Sequence, residues 1–139
     1  MTEFQSLAGR QGRQFSDQCD VVLESEGFAL EGKRRLVDLG VEIDRVARTR
    51  AGRVIWFEYK GSFRGSTPGM RRTDTTKKAI ANGALLVAIP DHPPYVVLTS
   101  HVPDRGSARA MLDAALRLGY FTDVICVNDP DAVRRLRAF

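Results

Sequence analysis

Apolar positions spaced three and four apart open the chain. Phe15, Cys19, Val22 and Leu23 fall on one helical face and Gly27 stops the pattern, so Gln11 to Glu26 reads as a helix. Phe28 to Leu36 reads as a first strand, closing on Lys33, Arg34 and Arg35. Val41 to Arg48 alternates apolar and polar residues, the pattern of a strand with one covered face. Arg50 to Arg53 is a turn, and Val54 to Lys60 is dense in strand formers. These two strands should pair as a hairpin. Gly61 to Met70, with Gly65, Pro68 and Gly69, reads as a long loop.

Thr73 to Asn82 is predicted as a helix ending near Gly83. Ala84 to Ile89 is a continuous apolar run, which predicts a strand covered on both faces. After a turn over Pro90 to Pro94, Tyr95 to Thr99 is a strand and Ser107 to Leu118 an amphipathic helix. Val124 to Val127 is a short strand and Asp131 to Arg137 a final helix. The order αβββα followed by ββαβα predicts an α/β fold, a central mixed sheet flanked by helices. No repeat, low-complexity tract or linker divides the chain, so residues 1–139 read as one domain.

Composition narrows the class without naming a function. Hydrophobic residues are 43% and charged residues 27%, which excludes a disordered tail, a collagen-like fibre and a disulfide scaffold. The net charge of +4 is a mild bias toward polyanions. No apolar run reaches the length of a membrane span, and the first residues carry no basic and apolar leader pattern. The expectation is a cytoplasmic protein with no membrane partner. Cys19 and Cys126 read as reduced thiols, and His92 and His101 are not at finger spacing from them. Neither histidine has a readable nucleophile partner, and Gly61 to Ser66 lacks the lysine of a Walker loop. The helix Ser107 to Leu118 reads as core packing, with a homodimer face as the other option.

One constellation carries chemistry. Strand side chains alternate, so Glu42 and Asp44 share a face, and Trp56, Glu58 and Lys60 share a face of the next strand. Pairing the strands makes Asp44 and Glu58 neighbours, with Lys60 one step on. Two carboxylates can hold a hard cation through oxygen. The cation polarises a phosphoryl oxygen and acidifies its bound water, and the lysine orients that water or offsets developing charge. A carboxylate two before a lysine arises roughly 0.5 times by chance in such a composition, so the tripeptide gains weight only from its place ending an apolar strand. The bland alternative is an exposed salt-bridge ladder. Glu42 reads either as part of the site or as a rim residue paired with Arg53.

The run Gly40-Val41-Glu42-Ile43-Asp44, followed by Ile55-Trp56-Phe57-Glu58-Tyr59-Lys60-Gly61-Ser62, resembles the PD-(D/E)XK nuclease superfamily. The resemblance covers about Gln11 to Ile89 and implies the restriction-endonuclease-like αβββαβ core. It implies Asp44 and Glu58 as metal ligands, the main-chain carbonyl of Tyr59 as a further ligand, and Lys60 as the catalytic lysine. The implied activity is a DNA endonuclease dependent on Mg²⁺, with Mn²⁺ able to substitute. Such enzymes include restriction enzymes, junction resolvases and subunits of repair, defence and transposition complexes. Two departures stand out. Ile43 replaces the proline of the family name, and Ser16 occupies the first-helix place where many members carry glutamate. Either Asp17 or Asp20 substitutes, or the site works without a third carboxylate.

Arg64, Arg71, Arg72, Lys77 and Lys78 follow the constellation and read as a phosphate clamp. Arg10 and Arg13, at the entry to the first helix, are further candidates, and Trp56 reads as a core or rim aromatic. RNA remains open as a substrate, because phosphate contacts do not distinguish the sugars. The alternative to an enzyme is a non-catalytic nucleic-acid-binding or assembly module on a degenerate nuclease fold.

Overall fold

The computed structural model describes residues 3–61 and 68–139, with the side chains of the first helix from Arg13 onward. Helix α1 (Glu3–Ser25) leads into a two-residue strand β1 (Ala29–Leu30). A hairpin of β2 (Arg34–Leu36) and β3 (Val41–Ile43) follows, then β4 (Arg45–Arg48) and β5 (Val54–Lys60). A 3₁₀ turn over Gly69–Arg71 precedes α2 (Thr73–Leu86). The chain then alternates β6 (Tyr95–Thr99), α3 (Gly106–Arg117), β7 (Asp123–Cys126) and α4 (Pro130–Arg134), closing on a 3₁₀ turn, Arg135–Ala138.

The main sheet has the order β1-β4-β5-β6-β7. β1, β4 and β5 pair antiparallel, while β5, β6 and β7 run parallel. The mixed sheet arises because β4 and β5 are joined by a short turn, whereas α2 and α3 carry the chain back between parallel strands. Side chains of β5 and β6 alternate between two cores. Ile55, Phe57, Val96 and Leu98 pack with Phe15, Cys19 and Leu23 of α1 and Ala132 of α4. Trp56, Tyr95 and Val97 pack with Ala79 and Leu86 of α2 and Leu112 and Ala115 of α3. Helices therefore cover both faces, and β6 is buried along its whole length. Among the described residues, no helix is long and apolar enough to cross a membrane.

The structure corrects several expectations. Ala84 to Ile89 is not a strand: α2 runs on through Leu86, and Leu85 and Val87 are exposed. A six-residue apolar run carries no period that separates a strand from a helix end, and Ala and Leu favour the helix. Gly83 does not stop the helix either. It lies where a Cβ would come 2.6 Å from the Tyr120 carbonyl oxygen, so its role is close packing. The expected strand Phe28 to Leu36 splits, with β1 in the main sheet and β2 in a separate hairpin with β3. The expected strand Val41 to Arg48 breaks at Asp44, where the chain passes from that hairpin into the main sheet. Five strands rather than three lie between α1 and α2; three of them, β1, β4 and β5, belong to the main sheet, and the strand that follows α2 is β6.

Candidate active site

Asp44 sits at the break between β3 and β4. The β4–β5 register pairs Arg45 with Phe57 and Val46 with Trp56, so Asp44 falls beside Glu58 and Tyr59 at the end of the hairpin. Its Oδ2 accepts the Tyr59 backbone N–H at 2.8 Å. Lys60, two residues on from Glu58 and on the same side of β5, reaches back to it, Nζ to Oε1 3.1 Å. The structure thus brings Asp44, Glu58 and Lys60 together, and places the Tyr59 main chain against Asp44.

Glu58 is only 2% exposed, unusual for a carboxylate. Its burial is compensated by donors. The Tyr95 hydroxyl donates to Oε2, and the Asn82 side-chain amide donates to the same oxygen at 3.3 Å. Burial, reinforced by Glu58, pushes the Tyr95 hydroxyl well above its usual range, so it stays a protonated donor. Asp44 is less well compensated. Burial and then the Glu58 charge push its carboxyl up to about 6, against the Tyr59 amide and Lys60, which pull it down. Two carboxylates and one ammonium leave the centre short of positive charge. Hard oxygen donors with an unmet negative charge suit a hard divalent cation. Among the described residues, no group of three or more His, Cys, Asp or Glu side chains is arranged around a common metal position. Asp44 and Glu58 thus stand as a pair of carboxylates, with the Tyr59 backbone N–H on Asp44.

The acidic candidates of α1 do not join this centre. Asp20 gives both oxygens to Arg45, at 3.0 Å from Nε and 2.7 Å from Nη2, and accepts the Tyr59 hydroxyl at 2.7 Å. It is a partner of Arg45 rather than a ligand in reserve. Asp17 is exposed on α1. Glu42 is exposed on β3, across from Arg35, and pairs with Lys33 at 3.4 Å rather than with Arg53. Its charge still reaches Asp44, but the break in the strand puts it on the hairpin.

A cleft of about 280 Å³ opens beside Asp44, lined by Phe15, Ser16, Lys33, Arg45, Tyr59 and Gly61. Gly61 lies there because a Cβ would strike the Phe15 ring at 2.5 Å. Arg71, Arg72, Lys77 and Lys78 are exposed on the 3₁₀ turn and α2, the helix that also supplies Asn82. Arg13 is exposed on α1, while Arg64 and the side chain of Arg10 lie outside the described residues. Trp56 is buried, with the Arg34 guanidinium 5.6 Å from its ring centroid and His92 stacked at 6.3 Å. Its Nε1 has no hydrogen-bond partner among the described residues.

Sequence reasoning missed Tyr95 and Asn82. Tyr95 carried a readable hint: a phenol in a strand of otherwise apolar residues needs a polar partner once buried. Asn82 carried none, since a helical asparagine is ordinarily exposed. Comparison of the chain with family models, with curated proteins and with solved structures gives no match.

Proposed function

We propose that the protein is a Mg²⁺-dependent DNA endonuclease that hydrolyses phosphodiester bonds, with a restriction-endonuclease-like core. The observation that carries this reading is the charge-deficient trio at the end of the hairpin: Asp44 pushed up to about 6 beside buried Glu58, with Lys60 at 3.1 Å from Glu58. The likeness of Asp44 and Glu58-Tyr59-Lys60 to the PD-(D/E)XK superfamily supports it, together with a mixed sheet flanked by helices in which β1, β4 and β5 precede α2 and β6 follows it.

Asp44 and Glu58 would hold the cation, with the Tyr59 carbonyl as a further oxygen donor. When bound, Mg²⁺ polarises the phosphoryl oxygen and lowers the pKa of its water. The Lys60 ammonium orients the attacking water in line with the scissile bond and offsets charge that builds on the phosphorus oxygens. Arg71, Arg72, Lys77 and Lys78 hold the sugar–phosphate backbone through charge, with no reading of bases. Substrate choice then falls to the shape of the nucleic acid, to a second copy of the chain or to a larger nuclease complex.

A panel of supercoiled plasmid, linear duplex, single strand, four-way junction and RNA duplex, each with Mg²⁺ or Mn²⁺, tests the reading. Wild type should cut at least one DNA substrate only when the metal is present. Lys60→Ala should lower the rate by about 10²-fold or more. Undiminished cleavage by Lys60→Ala would overturn the assignment. One observation favours the second reading, a non-catalytic nucleic-acid-binding or assembly module. The α1 carboxylate is missing from the centre, because Asp20 is committed to Arg45. Calorimetry separates the two: a nuclease binds Mg²⁺ or Mn²⁺ and loses it in Asp44→Asn, a degenerate module binds neither.

A further inference from the structure

The two oxygens of Glu58 live in different surroundings. Oε2 points into the protein and accepts from the Tyr95 hydroxyl and the Asn82 amide. Oε1 faces Lys60, whose Nζ lies 3.1 Å away. A carboxylate has about four lone-pair sites, two on each oxygen. Among the described residues, both sites on Oε2 are taken and one on Oε1 is taken. A single site remains, on Oε1. Glu58 can therefore meet a cation through one oxygen, and cannot clasp it with both without losing Tyr95 or Asn82.

That restriction has a chemical consequence. Ca²⁺ favours six to eight oxygen ligands in flexible geometry and readily takes carboxylates through both oxygens. Mg²⁺ demands a near-ideal octahedron and is held by one or two carboxylates, keeping several waters. We propose that Tyr95 and Asn82 are positioning residues that confine Glu58 to one-oxygen binding through Oε1 and so select Mg²⁺ over Ca²⁺. The inference rests on the metal-dependent reading of the Asp44–Glu58 centre. Tyr95 suits this role because it is fully buried at the start of the interior strand β6, where it cannot swing away. Asn82 approaches from α2, so the clamp ties a strand and a helix to one carboxylate oxygen.

The test is calorimetric titration of the whole chain with Mg²⁺ and with Ca²⁺, for wild type, Tyr95→Phe and Asn82→Leu. Tyr95→Phe removes one oxygen and keeps the ring, and Asn82→Leu lies on a half-buried helix face, so at least one variant should fold, as judged by circular dichroism. Wild type should bind Mg²⁺ more tightly than Ca²⁺. Each folded variant should shift the ratio of the two dissociation constants toward Ca²⁺, on the order of 10-fold. A purely structural role for the pair would weaken both ions alike and leave that ratio unmoved, which would overturn the inference while the metal centre stands. Equal affinity of wild type for the two ions would overturn it as well. No binding of either ion by wild type would overturn the metal-dependent reading itself, and the inference with it.

Discussion

Two polar clusters sit back to back across β5, built from consecutive residues and nearly the same chemical groups. On the α1 side, Arg45 and Tyr59 converge on Asp20. On the α2 side, Glu58 gathers with Tyr95 and Asn82, and Lys60 and Asp44 join it at the end of β5, where Asp44 also borders the cleft beside α1. The first cluster is closed. The Asp20 charge is matched by one guanidinium in a two-pronged bond, and the third Arg45 nitrogen donates to the Glu31 carbonyl at 2.7 Å. Burial opposes the Arg45 charge, but the bonds from Asp20 and Tyr59 outweigh it, so its pKa moves up. The second cluster is open. Its carboxylates outnumber its cations, and Asp44 is held in a state that favours a proton. A closed cluster commits its polarity to the fold. An open one keeps an unmet charge ready for something from solution, at a cost in stability.

The largest expected effect comes from breaking the closed cluster. Asp20→Ala leaves a half-buried guanidinium and a half-buried phenol without their acceptor. The loss should be about 2–3 kcal/mol in urea denaturation, the range for hydrogen bonds to charged groups in a partly buried pair. Divalent-cation affinity should stay within a few-fold, because Asp20 contributes nothing to the other side of β5. A large fall in cation affinity without loss of stability would reverse the roles of the two clusters.

Next in size is the response of the open cluster to a cation. Mn²⁺ at about 100 times its dissociation constant should raise wild-type stability by about 2.7 kcal/mol through mass action, measured as a shift of the urea midpoint. Asp20 variants that still fold should show the same increment. In Asp44→Asn the increment should vanish, since one of the two carboxylates is gone. An equal increment in Asp44→Asn would move the cation elsewhere on the protein.

The contrast between the clusters was partly legible in the sequence. Period-two alternation put Asp44, Glu58 and Lys60 on one side, and the hairpin register followed from the short turn between β4 and β5. The same alternation put Tyr59 and Arg45 on the other side, but nothing local identified Asp20 as their partner. That contact joins residues 25 apart and depends on how α1 lies on the sheet. Asp20 therefore read as a spare ligand. Tyr95 and Asn82 were hidden for a related reason, being 37 and 24 residues from Glu58. The break at Asp44 was invisible because alternation runs unbroken through it. The Ala84 to Ile89 run failed differently: it held too little pattern to choose between a strand and the last turn of α2.

The smallest effect is the most particular to an open cluster. Without metal, the Asp44 carboxyl titrates at about 6 in the folded chain, above its ordinary value of 3.8, so the folded state holds the proton more tightly than the unfolded state does. Lowering the pH from 7 toward 5 should therefore raise the contribution of this residue to stability, and raising the pH through 6 should remove it. The Asp113 carboxyl, hydrogen-bonded to Arg109, is held below its usual range and acts in the opposite sense only at more acidic pH. Asp44→Asn keeps an oxygen that can accept the Tyr59 amide while removing the charge. At pH 7 it should be more stable than wild type by about 1–2 kcal/mol, a figure reduced from the full shift because the site is partly open to water. The advantage should shrink as the pH falls to 5, since wild type then carries the proton that asparagine mimics. Urea denaturation of both proteins in chelator at pH 7, 6 and 5 reads this directly. An Asp44→Asn chain that is less stable than wild type at pH 7 would mean that the charge is already met by the fold, and the centre would then be a second closed cluster.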